Sequence, residues 1–304
     1  MSKPTKRLVA LVSGFGWHVE DLARAARHVG VAFEPVAFPR VVGRVGFGPG
    51  RVEAGGIRLD DGEVDGVLVR MMPPGSLEQV VFRMDALHRL EAAGVAVVNP
   101  PRAVEAAVDK YLALARIEGD GLPVPPTWVG ESATEALEAF RQLGGDVVVK
   151  PLFGSEGRGL VRVSDPELAF RAFWTLEQLR GVIYLQKHLD NPGHDLRVFV
   201  LGDQVAGAIA RHAPKGDWRT NVAVGGRPEA ITLEPAQEVL ALGAARSVGA
   251  VVAGVDLVFD LDRQAWVVLE VNAVPGWRAL ATTTGLDLAS MILSHLRDAG
   301  DERK

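Results

Sequence analysis

The chain has 304 residues, of which 48% are hydrophobic and 23% are charged, a composition typical of a globular protein with its own core. Its formal net charge is −5 and its isoelectric point is near 5.8, which argues against nucleic acid as the main partner because phosphate-binding surfaces are usually basic. It contains no cysteine, which excludes disulfides, thiolate nucleophiles and thiolate metal sites.

The N-terminal segment begins with basic residues and an apolar run, as a secretory signal does. The run LVALV has only five residues, however, and no A-x-A-like cleavage site follows it. No apolar run approaches the roughly 18 residues that a membrane-spanning helix needs. We therefore expect a cytoplasmic protein without a membrane partner.

The first hundred residues alternate predicted strands with predicted helices. Strands are predicted at RLVALVS, VAFEPVAF, DGVLVRM and VAVVN. Helices are predicted over HVEDLARAARHVG, after the capping box of Ser76 and Gln79, and from Pro100-Pro101 onward. Strands that alternate with helices indicate a parallel sheet with helices on its faces.

The pattern changes after a segment rich in proline and glycine, Gly119 to Trp128. Beyond it the sequence predicts paired strands, with one hairpin turning at Gly202-Asp203 and a second near Asp262-Arg263. Helices are predicted from about Pro235 to Val248 and from about Leu286 to Leu296. We expect an α/β domain followed by two α+β lobes, formed by residues 1–105, 106–185 and 186–304 respectively.

A glycine-rich stretch, KPLFGSEGRGL from Lys150 to Leu160, lies between two predicted strands. A phosphate cradle at a helix N-terminus needs a helix after the glycines, whereas LVRV follows, so the dinucleotide-binding and Walker motifs are excluded. The glycines fit either a surface turn or a flap whose backbone N–H groups cover phosphates. Lys150 favours the flap, because a lysine that ends an apolar strand is costly to bury unless it pairs with an anion.

Three oxygen-bearing side chains lie in two predicted strands. Asp256 is in GVDLVFD, whereas Glu270 and Asn272 are in LEVNA, two residues apart and therefore on one face of the strand. If the strands form a hairpin, the three side chains converge at one end of a sheet. Oxygen ligands without His or Cys suit Mg²⁺ or Mn²⁺. The alternative is that the carboxylates pair with basic residues and Asn272 caps the turn, and the spacing alone favours neither.

A basic stretch, RHAPKGDWRTN from Arg211 to Asn221, follows a predicted strand. By itself a charge run is typical of a solvated face, although Arg and Asn together can also reach anionic oxygens. The seven histidines include no i,i+4 pair that would suggest zinc.

Taken in order, these segments resemble the ATP-grasp superfamily and, within it, the RimK-like amino-acid ligases. The resemblance covers nearly the whole chain and is carried by DK at Asp109-Lys110, GLPVPPT, VVVKPLFGSEGRGL, LQKHLDNPGHDLRVFVLG, RHAPKGDWRTNVAVGG, GVDLVFD and LEVNAVPGW. Each segment alone is a weak indication of the family, but seven such segments in the same order are a specific one. The resemblance implies an ATP-grasp fold that follows an N-terminal parallel-sheet domain.

The resemblance also implies a role for each matching residue. The residues expected to bind ATP are Lys110, Lys150, Gly154, Ser155, Gly157, Gly159, Gln186, Lys187, His188, Asp195, Arg219, Thr220 and Asn221. Those expected to act on the transferred phosphate are Arg211, Lys150 and Asn221, and the expected ligands of two Mg²⁺ or Mn²⁺ ions are Asp256, Glu270 and Asn272. One departure concerns the hinge, where relatives carry Gln-Glu-Tyr and this chain has Lys187 in place of the glutamate.

The implied reaction is the joining of a carboxylate to an amine at the expense of ATP, through an acyl phosphate. The segments NAVPGWRAL and LVRMMPPGSLEQVVFRMDAL look closest to the tetrahydromethanopterin α-L-glutamate ligases, which add glutamate to a carboxylate of a pterin coenzyme. We expect Arg70 and Arg278, the latter in the GWR loop, to bind the glutamate by bidentate pairing.

Three other hypotheses remain open. One is a ligase that adds glutamate or a related amino acid to a ribosomal or carrier protein. Another is a non-catalytic nucleotide-binding module, whose sign would be a lost lysine or metal ligand, and none is lost here. The third is an unrelated α/β enzyme. The expected partners are ATP, the amino acid and the carboxylate acceptor, with no nucleic acid, and a homo-oligomer is left open.

Overall fold

The structure is a computed structural model that describes residues 5–47, 51–154 and 157–302. The strands, numbered along the chain, are β1 Arg7–Val12, β2 Ala32–Ala37, β3 Val41–Gly43, β4 Val52–Ala54, β5 Ile57–Arg58, β6 Gly66–Val69, β7 Ala96–Val98, β8 Thr127–Gly130, β9 Val147–Lys150, β10 Val161–Val163, β11 Ile183–Lys187, β12 His194–Leu201, β13 Gln204–His212, β14 Arg227–Ala230, β15 Val252–Asp260 and β16 Ala265–Asn272. The helices are α1 Trp17–Val29, α2 Leu77–Ala92, α3 Pro101–Val108, α4 Lys110–Gly119, α5 Ala133–Gln142, α6 Pro166–Gln178, α7 Pro235–Val248, α8 Arg278–Thr284 and α9 Leu288–Glu302.

The N-terminal sheet is parallel, with strand order β2-β1-β6-β7. Alternate residues of β1 enter two different cores: Leu8 and Ala10 pack with α1 and α9, whereas Val9 and Leu11 pack with α2. A strand that is buried on both faces gives the continuous apolar run that the sequence shows. The predicted parallel sheet is confirmed. The capping box of Ser76 and Gln79 at the start of α2 is confirmed as well.

The chain changes direction across this sheet between β1 and β6. It first moves from β1 to β2 on one side, and later places β6 and β7 on the other. A crevice forms beyond the carboxyl ends of the strands at such a switch point, and ligands of open α/β sheets bind there. A separate three-stranded sheet, β3-β4-β5, was not predicted, because strands of two or three residues are too short to show a period.

The middle sheet has the order β10-β9-β11-β8, and the three pairings among its strands are antiparallel. Helices α5 and α6 cover one face through a core that includes Phe140 and Phe173. The glycine-rich stretch connects the antiparallel strands β9 and β10, which confirms that it lies between paired strands rather than before a helix.

The C-terminal sheet has the order β14-β13-β12-β15-β16. Both predicted hairpins, β12–β13 and β15–β16, are present, and α7 has the predicted bounds. Leu196, Val198 and Val200 of β12 face a core with α7, so Asp195 and Arg197, which alternate with them, point to the opposite face. That opposite face forms the floor of the site.

The C-terminal segment differs from its prediction. Arg278 does not lie in a loop but begins a short helix, α8, and the last helix runs from Leu288 to Glu302 rather than ending near Leu296. Helix α8 ends at its C-cap, Gly285, whose φ of 75° glycine adopts without strain, and α9 begins three residues later at Leu288. Among the described helices, none combines the length and apolar character needed to cross a membrane.

Asn99, which follows β7, joins the N-terminal sheet to the C-terminal hairpin. Its buried side-chain amide donates hydrogen bonds to the carbonyl oxygens of Val252 and Ala273, and its oxygen accepts from the N–H groups of Val251 and Val252. A fully satisfied buried amide of this kind fixes the relative position of the segments that it contacts. The end of β16 is thereby held against the parallel sheet.

Candidate functional site

A cavity of about 650 Å³ lies where the three main sheets meet. Its lining includes all the described residues that the sequence predicted to be functional except Gly159, and Ser155 lies outside the described part of the chain. The members are Arg70, Lys110, Lys150, Gly154, Gly157, Gln186, Lys187, His188, Asp195, Arg211, Arg219, Thr220, Asn221, Asp256, Glu270, Asn272 and Arg278. Residues that are distant in sequence, and that were named from their chemistry or from the resemblance, therefore share one cavity.

The hairpin end of this cavity is formed by Asp256, Glu270, Asn272 and the charged groups beside them. Asp256 faces Glu270 directly across the β15–β16 pair, and Asn272 faces Gly254. Asn272 Oδ1 accepts a hydrogen bond of 2.8 Å from the N–H of Val274, so it caps the turn while keeping a second lone pair. Glu270 has no hydrogen bond or ion pair within the described part of the chain. The predicted convergence of the three side chains is confirmed.

Asp256 is buried between two arginines. Arg197 Nη1 lies 2.7 Å from its Oδ1, and Arg211 Nη2 lies 2.9 Å from its Oδ2. Burial alone would raise the pKa of Asp256, but the charges of Arg197 and Arg211 outweigh it and lower the pKa. The guanidinium of Arg197 also lies over Gly254, where a β-carbon would approach its central carbon to 2.6 Å. Only glycine leaves room for that arginine.

Arg211 connects this pair to Asp195. The two form a bidentate ion pair, with Nε–Oδ1 and Nη2–Oδ2 distances of 2.7 and 2.6 Å, and Thr220 Oγ1 donates to Asp195 Oδ2. Burial would lower the pKa of Arg211, but Asp256 and Asp195 outweigh it and raise the pKa. In this state the carboxylates of Asp195 and Asp256 are both neutralised by arginine.

The two predicted lysines approach the hairpin end from the middle sheet and from α4. Lys150 is only 8% exposed, and its Nζ donates a hydrogen bond of 2.6 Å to Gln186 Oε1. Burial lowers the pKa of Lys150 to about 8, with Glu270 acting in the opposite direction. Lys110 Nζ donates to the carbonyl oxygen of Gly154, and burial lowers its pKa too. Neither ammonium has a carboxylate within ion-pair distance among the described residues.

The glycine-rich loop approaches the basic segment that follows β13. Gly157 has φ of 72°, and a β-carbon there would lie 2.5 Å from Asn221 Oδ1, so this contact requires glycine. Arg219, in the same segment, pairs with Asp217 at 2.8 Å, which lowers the pKa of Asp217 to about 2. Gly159 also has a positive φ, of 73°, but does not line the cavity.

An apolar wall of the cavity lies beside the predicted hinge. Leu189, Val258 and Leu269 line it. The backbone N–H groups of Lys187 and His188 donate to the carbonyl oxygens of Pro126 and Asp146, and Lys187 Nζ pairs with Asp262 at 2.9 Å. His188 Nε2 is buried without a hydrogen-bond partner in the described structure.

The arginine end of the cavity is lined by His18, Arg70 and Arg278, and Trp17 and Trp277 pack against the two arginines. Arg70, at the end of β6, is 5% exposed; its Nε is buried without a hydrogen-bond partner, and its Nη1 makes a single contact of 3.4 Å with the carbonyl oxygen of Val274. Burial lowers its pKa to about 10. An arginine without a carboxylate in such a place is suited to an anionic ligand.

Comparison with known proteins identifies the family. A model of the RimK-like ATP-grasp domain matches residues 107–296. A tetrahydromethanopterin:α-L-glutamate ligase of Methanosarcina acetivorans is 34% identical over 322 aligned residues, which cover 95% of this chain and 98% of that protein. One with the same name from Methanococcus maripaludis is 36% identical over 71% of this chain and 73% of its own length. The chain belongs to the RimK-like ATP-grasp family.

Solved structures agree on the fold of this RimK-like protein. The ATP-grasp ligase PsnB, in complex with a minimal precursor, superposes with a TM-score of 0.76 at 22% identity, covering 99% of each chain. A RimK-domain ATP-grasp protein of Sphaerobacter thermophilus gives a TM-score of 0.73 at 22% identity, with 95% of this chain and 98% of that one covered. The expected ATP-grasp fold is confirmed, and as a family member the chain is an ATP-grasp ligase.

Arg197 and His18 line the cavity, and Trp17 and Trp277 pack against His18, but none of these residues was predicted from the sequence. Arg197 is two residues from the predicted Asp195 in β12 and therefore on the same face, a signal that strand alternation could have given. Trp17 and His18 follow the glycines after β1, and Trp277 precedes α8. These three aromatic residues show no pattern in the sequence, because their association depends on packing between the N-terminal and C-terminal sheets.

Proposed function

We propose that the chain joins the amine of L-glutamate to a carboxylate of a tetrahydromethanopterin-like coenzyme, using ATP and passing through an acyl phosphate. One observation carries the ligase chemistry: the Lys150 ammonium and the Glu270 carboxylate face one cavity, and neither has an oppositely charged partner in the described structure. Uncompensated charges of both signs in a buried site are expected where a ligand such as Mg²⁺-ATP supplies both counter-charges. The Methanosarcina relative supports the choice of glutamate and pterin.

We propose that adenine lies against the apolar wall and the hinge. The unpartnered Nε2 of His188 supports this placement, because a purine nitrogen or amino group could satisfy it. The N–H groups of Lys187 and His188 already donate hydrogen bonds to backbone carbonyl oxygens of the protein. The carbonyl oxygens of the hinge, each with a second lone pair, would therefore accept hydrogen bonds from the adenine. The departure at Lys187 is then tolerated, because its side chain points to Asp262.

We propose that Glu270, Asn272 and Asp256 hold two Mg²⁺ or Mn²⁺ ions together with the phosphates. Within residues 5–47, 51–154 and 157–302, no three His, Cys, Asp or Glu side chains form a group suited to a metal ion. An incomplete protein site fits Mg²⁺, which keeps several ligands from water and nucleotide phosphates. When bound, the ions would offset the negative charge of the phosphates during transfer.

The protein groups have the following proposed parts in the reaction. A carboxylate oxygen of the acceptor attacks the γ-phosphorus, and the bond to the ADP oxygen breaks. Lys150 and Arg211 stabilise the charge that develops on the transferred phosphoryl group. The amine then attacks the acyl carbon, the carbon–oxygen bond to phosphate breaks, and the amine loses a proton. The loop from Gly154 to Gly159 excludes water from the acyl phosphate, and Lys110 joins it to the phosphates.

We propose that Arg70 and Arg278 bind the amino acid through its carboxylates. The two arginines line the cavity, and neither forms an ion pair in the described structure. We retain the three-part division near residues 105 and 185 as a proposal. The N-terminal and C-terminal sheets each lie within one of the parts, whereas α3 spans the first boundary and β11 spans the second.

The test is phosphate release with ATP and Mg²⁺, measured with a panel of amino acids against a pterin carboxylate acceptor and, in parallel, ribosomal and carrier proteins. We expect release that depends on both L-glutamate and the pterin, with a product heavier by one glutamyl residue in mass spectrometry. Release that needs a protein acceptor instead would redirect the proposal to protein modification. Release that is independent of every amine would contradict amide formation.

A further inference from the structure

At the arginine end, three aromatic rings form a continuous row between the two arginines. Trp17 meets His18 edge to face with ring centroids 5.1 Å apart, and His18 meets Trp277 in the same way at 4.7 Å. The guanidinium of Arg278 lies over the ring of Trp17 at 5.6 Å, and that of Arg70 lies over the ring of Trp277 at 4.8 Å. Each arginine therefore has an aromatic platform, and the platforms touch a common histidine.

Polar contacts fix this aromatic row. The N–H of Trp277 donates to His18 Nε2 at 3.3 Å, and its indole Nε1 donates to Asp21 Oδ2 at 2.9 Å. Asp21 is in turn paired with Arg24. Trp277 is 2% exposed, so it is anchored by hydrogen bonds on one side and by packing on the others. The half of the row formed by His18 and Trp277 is therefore held in place, and Trp17, which is half-buried, packs edge to face on His18.

The histidine at the centre of the row is neutral at physiological pH. Burial lowers the pKa of His18 to about 4, with Arg70 and Arg278 acting in the same direction and Asp21 opposing them. Because Nε2 accepts a hydrogen bond, the ring proton lies on Nδ1. His18 therefore separates the two arginines without adding a third positive charge between them.

The row lies where the parallel sheet offers a binding crevice. Trp17 and His18 begin the helix after β1, whereas Arg70 directly follows β6, and these adjacent strands form the topological switch point. His18, Arg70 and Arg278 all line the cavity. Two guanidinium groups that lack carboxylate partners, one of them nearly fully buried with an unpartnered Nε, thus face the same space.

We propose that Trp17, His18 and Trp277 are positioning residues that hold Arg70 and Arg278 at a fixed separation, so that the two guanidinium groups select an amino acid by the distance between its two carboxylates. The proposal rests on the proposed function, in which the arginines bind the amino acid. Platforms restrict the guanidinium planes, and restricted planes bind a carboxylate bidentately only when it arrives at the matching place. A substrate shorter or longer by one methylene then engages only one arginine well.

The experiment is a binding measurement, so that it does not depend on turnover. Calorimetric titration of the protein, saturated with Mg²⁺ and a non-hydrolysable ATP analogue, gives the Kd of L-glutamate, L-aspartate, L-2-aminoadipate and the monocarboxylate L-norvaline. Trp17→Leu removes one platform, and Trp17→Phe keeps an aromatic face. Trp277→Leu and Trp277→Phe form the second pair. Trp174→Leu, at a tryptophan of α6 that is 52% exposed, is the matched control.

We expect the wild-type protein and the Trp174→Leu variant to bind L-glutamate more tightly than L-aspartate, L-2-aminoadipate and L-norvaline. The Leu variants should lose about tenfold in the preference for L-glutamate over L-aspartate, with the Phe variants close to wild type and the Kd of the nucleotide analogue unchanged. Thermal unfolding identifies any variant that fails to fold. If the Trp277 variants fail, the Trp17 variants decide the result, because Trp17 is less buried than Trp277.

Two contrary outcomes are distinguishable. If the wild type binds L-norvaline as well as L-glutamate, the arginines do not bind a second carboxylate. That result would contradict both the proposed binding of L-glutamate by the arginines and the proposed role of the aromatic row. If the wild type prefers L-glutamate but both Leu variants keep the same preference over L-aspartate and L-2-aminoadipate, only the role of the row is overturned. A loss of nucleotide affinity equal to that of the amino acid would mark a merely structural role.

Discussion

The arginines at the two ends of the cavity differ in whether a carboxylate of the protein pairs with them. At the hairpin end, Arg197 and Arg211 are engaged by the carboxylates of Asp195 and Asp256. At the arginine end, Arg70 and Arg278 lie over tryptophan rings and have no carboxylate partner in the described structure. Both ends contain two arginines, yet only the hairpin end pairs its arginines with carboxylates of the protein.

The difference shows how each end can respond to a ligand. A carboxylate that is held by two arginines can bind a metal ion only if a guanidinium yields, so a ligand at the hairpin end exchanges existing ion pairs for new ones. Arg70 gives up no ion pair when an anion arrives, and the cost of its burial is already present in the free protein. Substitutions should therefore affect phosphate chemistry at one end and amino-acid affinity at the other.

The largest effect is expected for Glu270→Gln. This change removes negative charge from the place where the proposed metal ions meet the transferring phosphate, so kcat should fall by at least about 100-fold. The isosteric amide keeps the β15–β16 pair intact, and the melting temperature should change little. Steady-state phosphate release and thermal unfolding measure the two quantities.

Asn272→Ala is the companion change for Glu270→Gln. It removes a neutral ligand, so its effect on kcat should be smaller and partly recovered by a higher Mg²⁺ concentration. Near-normal kcat in Glu270→Gln, together with a stability loss of several kcal/mol, would instead mean that Glu270 is half of a structural ion pair.

The next effect concerns Arg278→Ala at the arginine end. Losing a charge-assisted contact to one carboxylate should raise the KM of the amino acid by about 10- to 100-fold, while the KM of ATP stays the same. Arg171→Ala, at an exposed arginine of α6, is the control. Initial rates over a matrix of ATP and amino-acid concentrations give both constants. Equal increases in the two would remove Arg278 from the amino-acid site and weaken the contrast between the ends.

Lys150→Met tests whether the hairpin end stores a buried charge before nucleotide binds. The pKa of Lys150 falls from 10.5 in the unfolded chain to about 8 in the folded one, a difference worth about 3 kcal/mol. Between these values the unfolded chain retains a proton that the folded chain has lost, so wild-type stability rises with pH through this window. The Met variant should therefore gain most below pH 8, and its advantage should disappear toward pH 10.5.

Urea unfolding at pH 7.5 and pH 10, without nucleotide, measures this difference. The groups that the two proteins share titrate in both and cancel in the comparison. If the difference in free energy of unfolding between the Met variant and the wild type is the same at the two pH values, the pKa of Lys150 is not lowered by folding. The variant should in any case lose ATP turnover, since its ammonium is the group proposed to meet the phosphates.

The smallest effect is expected in the glycine-rich loop. The amides of Gly154, Gly157 and Gly159 should exchange hydrogen more slowly once Mg²⁺ and a non-hydrolysable ATP analogue are bound, because the phosphates accept their N–H groups. The amides of α7, which lies on the far face of the C-terminal sheet, should not change and serve as the internal reference. Unchanged exchange in the loop at saturation would contradict its role as a phosphate cover.

Local pattern determined much of this protein. The alternation of apolar segments predicted the parallel sheet, the turn residues predicted both hairpins, and the helical period predicted α7 with its bounds. The spacing of Glu270 and Asn272 on one strand placed them on one face, and pairing with β15 brought Asp256 opposite. Such features depend on residues that are near in sequence or joined by a tight turn, so the sequence alone encodes them.

Tertiary structure decided what lies beside those residues. The spacing of Asp256 left a metal site and an ion pair equally open, and only the packed sheet shows two arginines on its oxygens. His18 and Trp277 are 259 residues apart and meet because α1 and α8 converge on one crevice. No periodicity records such a contact. It depends on how separately folded sheets pack, and the burial of Trp277 and the amide contacts of Asn99 hold that packing in place.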